Sequence, residues 1–143
     1  MSPLSAFRRR IPAPDGMSWP HVVIIGGGFA GANAALELRD ARVRVTLIDR
    51  NIYKTFQPLL YQVATGIISE GEIAPPTRLI LRKQHNAQVL LGDVTHVDLE
   101  KKTVDSVLLG HTYRTPYDTL ILAAGAGQSY FGNDHFAEWA PGM

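Results

Sequence analysis

The sequence contains no cysteine, which removes disulfides, thiolate metal sites and cysteine nucleophiles from consideration within it. Metal ligation lacks support on other grounds. The five histidines stand at positions 21, 85, 96, 111 and 135, without the close pairing that sets two imidazoles on one helix face. A serine nucleophile elbow of the form GxSxG is missing. Ser129, in Gly127-Gln128-Ser129-Tyr130, lacks the flanking glycines, so hydrolase chemistry has no anchor. An excess of one charge is lacking too: 14 basic and 13 acidic residues leave a net charge of +1, interleaved along the chain, and give no footprint for nucleic acid. No apolar run approaches the ~18 residues of a membrane span, so the chain is soluble by composition.

What is present fits one α/β domain. At 143 residues and 45% hydrophobic content, the chain can build a single core. Its informative stretch is HVVIIGGGFAGANAALELRDARVRVTLID, residues 21–49. Gly26, Gly28 and Gly31 follow the apolar run Val22-Val23-Ile24-Ile25 and open the helical segment Phe29 to Leu38, which supplies the strand, turn and helix that a GxGxxG pattern requires. Gly26 lets the chain leave the strand in a tight turn. Gly28 removes a side chain where a pyrophosphate approaches the backbone, and Gly31 lets the helix lie close on the strand. The phosphates then face a helix N-terminus, whose free N–H groups and positive dipole end form an anion site. Asp49 closes the second run, Val43 to Ile48, roughly 20 residues on, where a carboxylate accepts hydrogen bonds from the ribose hydroxyls of an adenosine.

The flanking segments read as follows. Residues 1–20 carry four prolines and Arg8-Arg9-Arg10 with little apolar content, and are expected to form a disordered arm; the arginines suit a solvated tail or contact with anionic lipid. No apolar stretch follows them, which argues against a cleaved secretory signal, and Met17 is an alternative start. After Asp49 a polar connection leads to FQPLLYQVATG, where Pro58 suits the first turn of a short helix and Gly66 its stop. Ser69 and Glu72 have capping-box spacing, but Pro75 and Pro76 argue against a long helix there; a helix from near Pro76 to about Gln84 fits better. From Ala87 the chain turns to strands. Val89–Leu91, Val94–Leu99 and Thr103–Leu109 read as an antiparallel meander broken at Gly110. Tyr117–Ala123 reads as a strand buried on both faces, as in a parallel sheet, and ends at Ala124-Gly125.

A plain Rossmann domain continues with further βα units, whereas this order of helical excursion, meander and strand resembles the Rossmann-like FAD domain of the two-dinucleotide-binding flavoprotein reductases. The segment YRTPYDTLILAAG resembles the strand and turn beside the flavin nucleotide in that superfamily, with Ala124 where the family usually has Thr. Disulfide reductases of this group carry a cysteine pair after the second strand; this chain has FQPLLYQVATG there. More specifically, FQPLLYQVATGIISEGEIAPPTRLILRKQ and TPYDTLILAAGAGQSYFGNDHFAEWAPGM closely resemble the type II NADH dehydrogenases, the non-proton-pumping NADH:quinone oxidoreductases. The resemblance extends over residues 21–143.

The resemblance implies an FAD-linked peripheral membrane enzyme at the cytoplasmic face of the cell membrane. It takes a hydride from NADH at the flavin N5, delivers two electrons to a quinone, and often dimerises. By position, Gly26, Gly28, Phe29, Ala30 and Gly31 hold the pyrophosphate, and Asp49, with Arg50 beside it, the adenosine ribose. Gln57 and Pro58 lie against the isoalloxazine, Val94 meets the adenine through its backbone, and Ala124 and Gly125 close over the nucleotide. For Gln57 and Gln62 a hydrogen bond to local backbone competes with a flavin contact. The hydride step needs a poised flavin and stacked nicotinamide, so no catalytic side chain is assigned. The second glycine fingerprint for NADH, the segment completing the FAD domain and the membrane-attaching region of this family have no counterpart in the sequence. The chain is therefore expected to be an N-terminal portion, incomplete at its C-terminus and inactive alone. The alternative is a stand-alone module that holds FAD or another adenine nucleotide without redox turnover.

Overall fold

β-branched residues favour extended backbone and pack well in a sheet covered on both faces. His21–Ile25 accordingly forms β1 with all five positions buried. The computed structural model describes residues 18–127 and 129–140. From β1 the chain passes through the glycine turn into α1 (Phe29–Glu37) and then β2 (Arg44–Asp49), which runs parallel to β1 with Ile25 opposite Ile48. A 3-10 turn (Gln57–Leu59), α2 (Leu60–Ala64), α3 (Glu70–Ile73) and α4 (Thr77–Ile80) follow. Next come β3 (Ala87–Leu91), β4 (Asp93–Asp98), β5 (Thr103–Leu108), β6 (His111–Pro116), β7 (Thr119–Leu122) and a 3-10 helix, Asp134–Glu138.

The strands form two sheets, a parallel one ordered β3-β2-β1-β7 and an antiparallel one ordered β4-β5-β6. Alternate side chains of the parallel sheet face opposite ways. Val22, Ile24, Val45 and Leu47 pack with Ala35 of α1 and Leu81, while Val23, Ile25 and Ile48 pack with Val104 and Tyr117 of the meander side. The central sheet is thus covered by helices on one face and by the second sheet on the other. Each fully buried aliphatic side chain contributes on the order of 1.5–3 kcal/mol. Where α1 ends, Gln84 Nε2 donates to the Ala35 carbonyl at 2.7 Å and Asn86 Nδ2 to that of Leu38 at 2.8 Å, satisfying carbonyls that the helix leaves without partners.

Several expectations are corrected. Ala87–Leu91 is not a meander strand: it pairs parallel with β2, Asp49 opposite Leu91. The chain changes sheets at Gly92, whose N–H donates to the Asp49 carbonyl at 2.9 Å. The third meander strand is instead His111–Pro116, reached by a two-residue turn in which Leu109 and Gly110 have φ of 51° and 77°. Gly110 therefore makes a hairpin of the kind that needs positive φ at both positions, rather than a break. β7 is shorter than expected. It pairs parallel with β1 but ends the sheet among the described residues, so Leu122 is 70% exposed rather than buried. The helix expected from Pro76 to Gln84 is a single turn, Thr77–Ile80. Of the arm expected over residues 1–20, residues 1–17 lie outside the described ones. Residues 18–20 are joined to β2, where the Arg44 N–H donates to the Pro20 carbonyl at 2.8 Å.

Candidate functional site

In an open parallel sheet, the crevice beyond the carboxyl ends of the strands opens where successive connections run to opposite sides. Here β2 lies on one side of β1 and β7 on the other. The glycine turn occupies that point. Gly26 has φ of 99° and donates its N–H to the Ile48 carbonyl at 2.8 Å. A Cβ on Gly26 would collide with the Ala123 carbonyl, and one on Gly31 with the Gly26 carbonyl, so both glycines are required by close backbone approach. Gly28 differs: a Cβ there would meet nothing within 4 Å. It is the N-cap of α1, makes no side-chain cap, and is followed by a first turn without acidic residues. Its surroundings are open above the first-turn amides. That is the arrangement expected of a surface that receives an anion.

The Asp49 side chain is held against this turn from the end of β2. The Gly27 N–H donates to Oδ2 and the Asn51 N–H to Oδ1, the latter at 2.6 Å. The sequence pattern points Asp49 at a ribose and gives Gly27 no role. The structure gives the carboxylate a second task, bracing the glycine turn, while further lone pairs on both oxygens remain for an outside donor. The signal for Gly27 is a glycine at the position between Gly26 and Gly28 that the pattern leaves unconstrained. Arg50 follows Asp49 and is exposed.

The other expected residues divide into two groups. Ala124 and Gly125 come directly to the glycine turn: the Ala124 Cα would lie 3.1 Å from a Cβ on Gly26, and Gly125 has φ of 76°. Val94 is two residues beyond the Gly92 crossing, half-buried against the Val23–Ile25–Ile48 cluster and beside a bulge between Val94 and His96. Gln57 and Pro58 belong to a different body, the excursion between β2 and β3. Its base is a stem in which the Thr77 N–H donates to the Ile52 carbonyl at 2.9 Å, Lys54 to Pro75 at 3.1 Å and Phe56 to Ile73 at 2.7 Å. Both residues are exposed at its tip. Gln62 Nε2 lies 3.0 Å from Tyr61 Oη, a local side-chain partner rather than backbone.

Groups with displaced pKa lie on the excursion and the meander. The Ser69 N–H and hydroxyl, both on Glu72, hold that carboxyl below its ordinary range. The Ser69 N–H bond to this carboxylate, together with the Glu72 N–H facing the Ser69 side chain, makes the expected capping box of α3. Asp98 is lowered by hydrogen bonds from Lys101, and Asp105 by the Arg114 guanidinium, which it meets at 2.7 and 2.8 Å.

Comparison with known proteins bears on this site. The family model described as pyridine nucleotide-disulphide oxidoreductase matches residues 20–138. The chain is 73% identical over 122 residues to the type II NADH:quinone oxidoreductase Ndh of Mycobacterium tuberculosis, covering 85% of this chain and 26% of that protein. It is 64% identical to NdhA of the same organism, again over 85% of this chain and 26% of the relative. The fold is similar to the structure of NDH2 from Plasmodium falciparum in complex with NADH, with a TM-score of 0.75 at 27% identity, over 83% of this chain and 25% of that one. The chain thus spans about a quarter of the length of the curated relatives it matches.

Proposed function

Because the chain belongs to the pyridine nucleotide-disulphide oxidoreductase family, we propose that it is the FAD-binding N-terminal portion of a type II NADH:quinone oxidoreductase. The observation that carries this is the glycine turn: backbone closes on Gly26 and Gly31, while open space lies over Gly28 and the uncapped first turn of α1. That combination fits a pyrophosphate, which needs close backbone approach and N–H donors rather than a bulky side chain. When bound, FAD supplies the two-electron chemistry that links NADH to a quinone.

The residues of this chain bind and orient. Amides of Gly28, Phe29, Ala30 and Gly31 face the phosphates, with the α1 dipole adding to their attraction. Asp49 accepts from the adenosine ribose, and its charge disfavours a 2′-phosphate on the same sugar. Arg50 lies at the rim beside it. Val94 offers backbone to the adenine, Ala124 and Gly125 close the opposite wall, and Gln57 and Pro58 border the isoalloxazine. Water is excluded by apposition of these walls, and no side chain of this portion transfers a proton. In this reading NADH and the quinone are met by parts of the longer relatives that this chain does not span. The whole enzyme then works as a peripheral protein, often a dimer, at the cytoplasmic face of the cell membrane.

The test is reconstitution of the purified chain with FAD, followed by visible spectroscopy and titration. A bound chromophore absorbing at roughly 450 nm is expected. Asp49→Ala is expected to weaken it by about 1.5–3 kcal/mol, the worth of a charge-assisted hydrogen bond. A wild-type chain that takes up no flavin, or an Asp49→Ala chain with unchanged affinity, would sink the assignment. Equal affinity for ADP and FAD would favour the plain adenine-nucleotide module.

A further inference from the structure

Two aromatic rings join the halves of the site. Phe29 opens α1 beside Gly28, and Phe56 stands at the end of the excursion stem, next to Gln57 and Pro58. Their centroids are 5.6 Å apart at an interplanar angle of 61°, an edge-to-face contact, and the Lys54 ammonium lies 4.5 Å from the Phe29 centroid. Both rings are substantially exposed, 42% for Phe29 and 41% for Phe56, so removal from water is not the main reason for the pairing. The quadrupoles favour it: the positive edge of one ring meets the negative face of the other, and a cation prefers the same kind of face. The stem hydrogen bonds close the excursion on itself, 52 to 77, 54 to 75 and 56 to 73, and none reaches α1. The rings and the ammonium bridge that gap.

We propose that Phe29, Phe56 and Lys54 form a clasp that sets the tip of the excursion, and with it Gln57 and Pro58, at a fixed place relative to the glycine turn. Phe56 is then a positioning residue for the flavin ring. The clasp rests on contacts within the chain; its bearing on the flavin rests on the reading proposed above. A shift of about 1 Å at residues that border a reacting ring is costly to its chemistry, which makes a fixed tip worth having.

The experiment is amide hydrogen exchange on the purified chain as wild type, Phe29→Ala, Phe56→Ala and the double variant, each checked for native far-UV circular dichroism. Phe29→Ala is the decisive one, because Phe29 lies outside the excursion. It is expected to speed exchange of the Phe56 and Ile67 amides about 3- to 10-fold, as much as Phe56→Ala does. The double variant is expected to go no further than the larger single effect. Phe56→Trp should restore protection. Wild-type exchange in Phe29→Ala, or single effects that simply add, would overturn the clasp. A second readout addresses the flavin: Phe56→Ala should alter the visible circular dichroism of bound FAD, and Phe56→Trp should recover it. An unaltered band overturns the positioning role. If the wild-type chain takes up no flavin, the flavin reading and the positioning role fall together, and the exchange rates still decide the clasp.

Discussion

Gly28 and Gly31 belong to one motif but answer to different forces. Space around Gly28 is open and its φ of −68° suits any residue, whereas a Cβ on Gly31 would overlap the Gly26 carbonyl. Gly28→Ala should therefore lower the denaturant midpoint much less than Gly31→Ala does, by no more than the loss of an N-cap glycine, and should lower FAD affinity. Gly31→Ala should lower the midpoint, by about 1–3 kcal/mol of overpacking. Paired urea melts and flavin titrations check this, and an equal loss of stability in both would contradict it. The Gly31 role was legible in the sequence because it depends on neighbours a few residues away. The bracing by Asp49 was not: its partner, the Gly27 amide, is 22 residues distant, and only the parallel pairing of β1 with β2 brings them together.

Among the elements, β1, α1 and β2 were readable because local pattern and long-range pairing agree. The stretch from Ala87 to Pro116 misled because β-rich runs state that strands exist, not which strand each will pair with. Leu109 adds to this. A bulky residue at φ of 51° is an uncommon occupant of a hairpin turn, so Gly110 read as a stop. Since Leu109 is 89% exposed, Leu109→Asn loses little packing and should stabilise the chain by about 1 kcal/mol, seen as a raised thermal midpoint. The capping box on α3 was legible from its spacing alone. Its pH dependence has a definite sign. The Glu72 carboxyl is lowered by its bonds from Ser69, so the stabilisation it gives is full above the ordinary carboxylate value and lost as pH falls through the lowered one. Protection of the Ser69 amide, taken as its exchange rate relative to the intrinsic rate at the same pH, should fall as pH drops below the ordinary carboxylate range, and Glu72→Gln should flatten that dependence.

At the scale of the molecule, one sheet serves two cores. Val23 and Ile24 are adjacent in sequence, yet one packs toward the meander and the other toward α1. Anything that binds across the carboxyl ends of β1, β2 and β7 therefore couples to both cores. Added FAD at 100 times its dissociation constant should raise the unfolding free energy by about 2.7 kcal/mol, read as a concentration-dependent thermal midpoint. A midpoint indifferent to FAD would mean that the crevice is not its site. The excursion keeps its own backbone pairing and meets α1 through side chains. The chain leaves the sheet after Asp49 and rejoins it at Ala87, and between them a stem from Ile52 to Thr77 closes on itself. Such a segment behaves as a cassette: its tip can be lengthened, shortened or exchanged with that of a relative without re-registering a strand. Selection can thus reshape the excursion while the scaffold beneath drifts at its own pace.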